Sequence, residues 1–123
     1  CRVPMPWTST GSSFGFGPGG AHLPQPAWFK DVNVEVQDKD SKSTLNLYRN
    51  AMRIRRDLLT AEELKWVKHP LASNVLHFKR PNGWQSITNF GSKPIKLPKG
   101  ELLVSTMSLV DGKLAPNSTA WVK

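Results

Sequence analysis

Residues 75–90 read Val75-Leu76-His77-Phe78-Lys79-Arg80-Pro81-Asn82-Gly83-Trp84-Gln85-Ser86-Ile87-Thr88-Asn89-Phe90. Two apolar runs of period two flank Pro81-Asn82-Gly83, and Asn-Gly between such runs is a strong short-range hairpin signal, because both types accept positive φ. The segment therefore predicts two antiparallel strands, Val75–Arg80 and Trp84–Phe90. The same period extends outward. Leu64–Lys68 predicts a strand before the hairpin, and Pro94–Leu97, Leu102–Leu109 and Thr119–Lys123 predict three after it, with Asp111-Gly112 as a second hairpin turn. Six short strands at this spacing imply a small antiparallel β-sandwich.

Before residue 60 the period is different. Leu47, Ala51, Ile54 and Leu58 recur at steps of four, three and four, and Leu45, Tyr48 and Met52 form a second row. The pattern predicts a helix over 43–58 with a wide apolar stripe. Ser41 or Ser43 is placed to cap it. Arg49, Arg53 and Arg56 repeat along another face, toward the end where cations favour the helix dipole. Residues 30–42, with Asp31, Glu35, Asp38, Lys39 and Asp40, read as an exposed connection. Residues 1–28 interleave glycines and prolines with Trp7, Phe14, Phe16 and Trp28. Glycine and proline at this density exclude a helix or a central strand, while the aromatics argue against a disordered linker. The stretch reads as a long ordered loop. Loop and stripe both call for a partner surface outside the chain. The fold class expected is α+β and mainly β.

Composition narrows the functions. With 123 residues and 38% apolar content the chain suits one or two small units. It has no run of 18 apolar residues, so no membrane span is expected. Its first residues are not those of a signal peptide, and the missing initiator Met places the native N-terminus upstream or removes it. Cys1 is the only cysteine, which excludes an intrachain disulfide and suits a free thiol in a cytoplasmic protein; an intermolecular disulfide is the alternative. The net charge of +8 raises the question of nucleic acid. Apart from Arg49, Arg53, Arg55 and Arg56, however, the basic residues are scattered, and no aromatic-basic motif accompanies them. No nucleic-acid partner is expected.

Glycosidic hydrolysis uses two carboxylates flanking the bond. The nine available here are Asp31, Glu35, Asp38, Asp40, Asp57, Glu62, Glu63, Glu101 and Asp111, and nearly all lie in polar or turn contexts. None is expected to be catalytic. His22, His69 and His77 are far apart, so no metal site is expected. Gly15-Phe16-Gly17-Pro18-Gly19-Gly20 lacks the Lys-Ser/Thr of a phosphate loop, and no cofactor is implied. Trp66, Trp84 and Trp121 are separated in sequence and predict no stacking platform.

Arg2-Val3-Pro4-Met5-Pro6-Trp7 resembles a motif of the α-glucosidases of glycoside hydrolase family 13, the oligo-1,6-glucosidases among them. The resemblance continues through Phe14-Gly15-Phe16, Val32-Asn33-Val34-Glu35-Val36-Gln37, Leu45-Asn46-Leu47-Tyr48-Arg49, Arg53-Ile54-Arg55-Arg56, Val75–Arg80 and Ile87-Thr88-Asn89-Phe90. It implies that residues 1–60 end a TIM-type catalytic barrel, with the loop after the eighth strand and the eighth helix, and that 61–123 form a C-terminal antiparallel β-domain. It also implies that the nucleophilic Asp, the acid/base Glu, the stabilising Asp and a Gly-Arg-Asp run all lie upstream of Cys1. The parent would be a retaining α-glucosidase acting on short oligosaccharides, and the fragment alone inactive. Arg2 and Trp7 would remain at the rim of the substrate pocket; the plainer reading is that they fix the loop to the barrel. Pro6 stands where Gln is commoner, so that Gln's contacts do not carry over. The oligosaccharide would be met through the missing barrel, and the fragment, lacking it, could self-associate. The rival readings are a stand-alone carbohydrate-binding β-module and a basic nucleic-acid binder.

Overall fold

A computed structural model describes residues 3–59, 63–70 and 73–123. The chain divides into two compact units, residues 1–49 and 50–123.

In the first unit, 3-10 turns at Ser12–Gly15 and Ala27–Asp31 lead to helix α1, Val34–Lys39, and to the start of helix α2, Thr44–Leu58. The expectation of a bare connection over 30–42 is corrected by α1. Six residues are too few for a helix to stand alone, and this one forms because its first-turn donors all find acceptors. Asn33 Oδ1 accepts from Val36 N at 3.0 Å, Pro6 O from Val34 N at 3.1 Å and Trp7 O from Glu35 N at 2.9 Å. Two of these acceptors come from far back in the chain, so local sequence does not announce the helix.

Helix α2 begins one residue inside its predicted span. Of the two serines considered, Ser43 is the cap: its Oγ accepts from Asn46 N at 3.2 Å and donates to Gln37 O at 2.6 Å. No side chain of α2 is fully buried. Leu47, Ala51, Ile54 and Leu58 are half-buried, while Tyr48 and Met52 keep 69% and 50% of their surface exposed.

The second unit holds a five-stranded antiparallel sheet in the order β1-β2-β3-β5-β4. Its strands are β1 Lys65–Trp66, β2 Val75–Lys79, β3 Gln85–Asn89, β4 Leu102–Ser105 and β5 Ser118–Val122. Val75, Ile87 and Ala120 lie on one face and pack with Ile95 and Leu114, Leu97 lying against them. The predicted strand Pro94–Leu97 is reduced to one bridge, Ile95 with Leu114. This bridge packs against the apolar face of the sheet. Buried Asn89 ties it to the sheet, its Nδ2 donating to Lys93 O at 2.9 Å and Ala115 O at 3.0 Å. β4 is shorter than the predicted Leu102–Leu109, with an irregularity between Leu102 and Val104. Asp111 and Gly112, at φ 49° and 70°, form a tight two-residue turn between bonded Val110 and Lys113.

Candidate functional site

The loop of the first unit is built around polar anchors. Phe14 O accepts from both Trp7 N at 2.8 Å and Thr8 N at 3.0 Å. Gln25 Nε2 donates to Pro4 O at 3.1 Å and to Ser13 O at 3.3 Å. Between these anchors Gly11, Ser13, Phe14 and Gly15 all adopt positive φ, the two non-glycines at 50°. Each non-glycine residue held there costs of the order of 1–3 kcal/mol and persists only where its surroundings over-determine it. Asn33, completely buried, is the centre of the arrangement. Its Nδ2 donates to Lys30 O at 2.6 Å and Ser9 Oγ at 3.0 Å, while its Oδ1 caps α1. Phe29 packs against Phe14 and, edge-on at 4.7 Å, against Trp28.

Of the two rim residues, Arg2 lies outside the described residues. Trp7 works through its backbone, which binds both Phe14 and the first turn of α1, while its indole remains 45% exposed. Beside this segment Met5, Pro6, Val32, Val34, Leu45 and Tyr48 line a shallow, mostly apolar depression of about 270 Å³. It offers apolar contact and no convergent set of charged groups.

Several carboxylates are engaged individually. Glu35 accepts from Lys39 Nζ at 3.0 Å, and this hydrogen bond with the Lys39 charge holds its pKa below the usual glutamate value. A general acid needs the opposite shift. Asp38 pairs with Arg49, Asp40 Oδ1 accepts from Lys42 N at 2.9 Å, and Asp111 sits in its turn. Glu62 lies outside the described residues. Among the described residues no group of three or more His, Cys, Asp or Glu side chains could hold a metal ion. His77 is buried on the core face of β2, its Nε2 3.1 Å from Gln85 Oε1; burial lowers its pKa.

In the second unit the tryptophans meet, though not as a stacking platform. The three tryptophans far apart in sequence join through Phe78 into one row on the sheet face opposite the apolar core. Trp66 meets Phe78 edge-on at 6.0 Å, Phe78 meets Trp84 at 6.1 Å and Trp84 meets Trp121 at 5.2 Å. The register explains it: Trp66 pairs with Phe78, Phe78 with Ser86, and Ser86 with Trp121. Small Ser86 leaves room between its neighbours, and Trp84, on the same face two residues earlier, fills it. Trp84 is 4% exposed and its Nε1 has no hydrogen-bond partner among the described residues, whereas Trp66 is 66% exposed. Arg80 lies 5.9 Å from the Trp84 ring centre, a cation–π distance. Edge-to-face contact is a favoured aromatic geometry. It makes a continuous apolar strip, not a flat stacking platform.

No protein-family model matches the chain, and no curated protein sequence matches it. Solved structures share its fold. The trehalulose synthase of Pseudomonas mesoacidophila MX-45 superimposes with a TM-score of 0.76 at 23% identity, covering 99% of this chain and 25% of the synthase. The isomaltulose synthase of Klebsiella sp. LX3 gives 0.76 at 20% identity, covering 99% and 25%. A family GH13_31 enzyme gives 0.72 at 20% identity, covering 97% and 23%. The chain thus has the fold of one segment of these enzymes and spans about a quarter of their length.

Proposed function

We propose that this chain is the C-terminal part of a glycoside hydrolase family 13 enzyme, a retaining α-glucosidase of short oligosaccharides resembling the oligo-1,6-glucosidases. The observation that carries the reading is the match of nearly the whole chain, loop and helices together with sheet, to a quarter of larger enzymes named for work on sugars. A β-module alone would match over the sheet only. Residues 1–60 would end the catalytic barrel, residues 61–123 would form the C-terminal domain that follows it in sequence, and Arg2 and Trp7 would belong to the loop at the pocket rim. The engaged carboxylates fit a chain whose acid and nucleophile lie elsewhere. In this reading the chemistry belongs to the longer protein, which would act in the cytoplasm. The test is to express the reading frame extended upstream beside the 123-residue chain and to offer both maltose, isomaltose and an aryl α-glucoside. Turnover by the longer protein with retention, and none by the short chain, is the expected result; turnover by the purified short chain overturns the reading.

The aromatic row favours a second reading, a β-module that contacts carbohydrate. Trp66 presents an exposed indole on which the apolar face of a pyranose could rest. Titration with maltooligosaccharides, followed by tryptophan fluorescence, separates the readings. A saturable change abolished in Trp66→Ala supports sugar contact, and a flat response to high concentration rejects it.

A further inference from the structure

Asn82 stands in the hairpin between β2 and β3, and its carboxamide both donates and accepts. Nδ2 donates to Leu58 O at 2.6 Å, and Oδ1 accepts from Trp84 N at 3.2 Å. A carboxamide offers a donor and an acceptor from one planar group. Leu58 is the last residue of α2, where helix carbonyls lack intrahelical donors. Asn82 therefore satisfies the helix end and holds it to the hairpin.

Of the seven asparagines in the chain, Asn82 alone precedes a glycine. Glycine has no side chain to hinder approach of its nitrogen to the preceding carboxamide. Gly83 is exposed, and even an added Cβ there would meet nothing within 4 Å. Asn33 and Asn89 differ in being fully buried and followed by Val34 and Phe90. We propose that Asn82 is a site of spontaneous deamidation, and that its product releases the end of α2 from the hairpin.

The reaction balances with water as the only co-reactant. Gly83 N, losing its proton to base, attacks Asn82 Cγ. A C–N bond forms, the Cγ–Nδ2 bond breaks and ammonia leaves with a proton. Water then opens the resulting cyclic imide to aspartate or isoaspartate. In the intact turn Gly83 N donates to Arg80 O at 3.0 Å, so the attack proceeds through transient opening of the turn. The aspartate keeps an oxygen for Trp84 N but loses the donor to Leu58 O and sets a negative charge against the negative end of the helix dipole. Isoaspartate adds a backbone carbon and disturbs the hairpin register as well.

The test is ageing of the 123-residue chain at mildly alkaline pH with peptide mapping by mass spectrometry, beside Gly83→Ala and Asn82→Asp variants. Asn82 should convert before Asn117, which precedes Ser118, and Gly83→Ala should slow conversion severalfold. In Asn82→Asp, hydrogen exchange of Leu59 N, bonded to Arg55 O at 2.9 Å, should accelerate severalfold while amides of β3 keep their rates. If Asn82→Asp does not fold, the same exchange is read on aged wild-type chain separated by charge. Conversion of Asn117 ahead of Asn82 overturns the site. Unchanged exchange at Leu59 after conversion overturns the release.

Discussion

The two units are held by different means. In residues 50–123 a strand ladder closes over an apolar cluster of Val75, Ile87, Ile95, Leu114 and Ala120. In residues 1–49 Asn33 and Ser43 are buried, and the apolar side chains keep part of their surface. There the order comes from polar groups that satisfy helix ends and loop carbonyls. Apolar burial spreads stability over many contacts, none of them directional. A polar arrangement concentrates it, since a buried group deprived of its partner costs about 1–3 kcal/mol. The first unit should thus fail at single residues, and the second by gradual loss.

The sharpest way to break the second unit is its centre. Ile87→Ala empties a position 1% exposed between β2 and β5, and such core truncations cost about 2–5 kcal/mol. Chemical denaturation followed by Trp84 and Trp121 fluorescence should show a loss of that size. Next comes Asn33→Ala, which removes the α1 cap and the donor to Lys30 O. A cost of about 1–3 kcal/mol is expected, read as faster proteolysis within residues 8–28 with the sheet transition unmoved. A shift of both together would mean that the units do not fail separately.

Hydrogen exchange of the native chain sharpens the contrast without mutation. Amides of Val75–Lys79 and Gln85–Asn89 should exchange slowly and those of residues 8–28 fast; equal protection would contradict the division. Self-association tests the half-covered α2 stripe. A two-fold dimer is expected at high concentration, more readily once salt screens the +8 charge. Leu47→Lys and Ile54→Lys should stay monomeric in sedimentation, and a wild-type monomer at every concentration would count against the stripe.

The smallest effect expected is with pH. Burial lowers the pKa of His77 in the folded chain, whereas the unfolded chain protonates near the ordinary value of about 6.5. As pH falls through that value, the unfolded state takes up a proton that the folded state resists, so stability declines until the folded pKa is also passed. Above the unfolded-chain value this contribution is fully present. His77→Gln should flatten that part of the stability–pH curve.

The features legible in the sequence were those whose causes are local. The 3.6 period and Ser43 gave α2 within a residue, and Asn82-Gly83 placed the hairpin. Features whose partners come from elsewhere were not legible. Helix α1 depends on carbonyls of Pro6 and Trp7, the cover of the sheet on Ile95 meeting Leu114, and the aromatic row on a register that sets Trp66, Phe78, Ser86 and Trp121 abreast. At the candidate site, the motif picks out Trp7 as a residue, while the structure shows its backbone bonding to Phe14 O and Glu35 N. Asn33, at the centre of that unit, carried no periodic or compositional sign, since an asparagine among charged residues ordinarily faces water.

The strand order has a consequence for synthesis. β5 lies between β3 and β4, with Asn89 opposite Ser118 and Ile87 opposite Ala120, yet it is the last of the five strands to be made. Until it emerges, the β2–β3 hairpin carries an open edge along β3 and an aromatic face without Trp121. Pairing across that distance in sequence is slow compared with closing a hairpin, and an unpaired edge invites other chains. Losses during expression should therefore fall in the interval between translation of β3 and of β5. Slower translation there would lengthen the exposure, and a chaperone that binds extended apolar segments would shorten it.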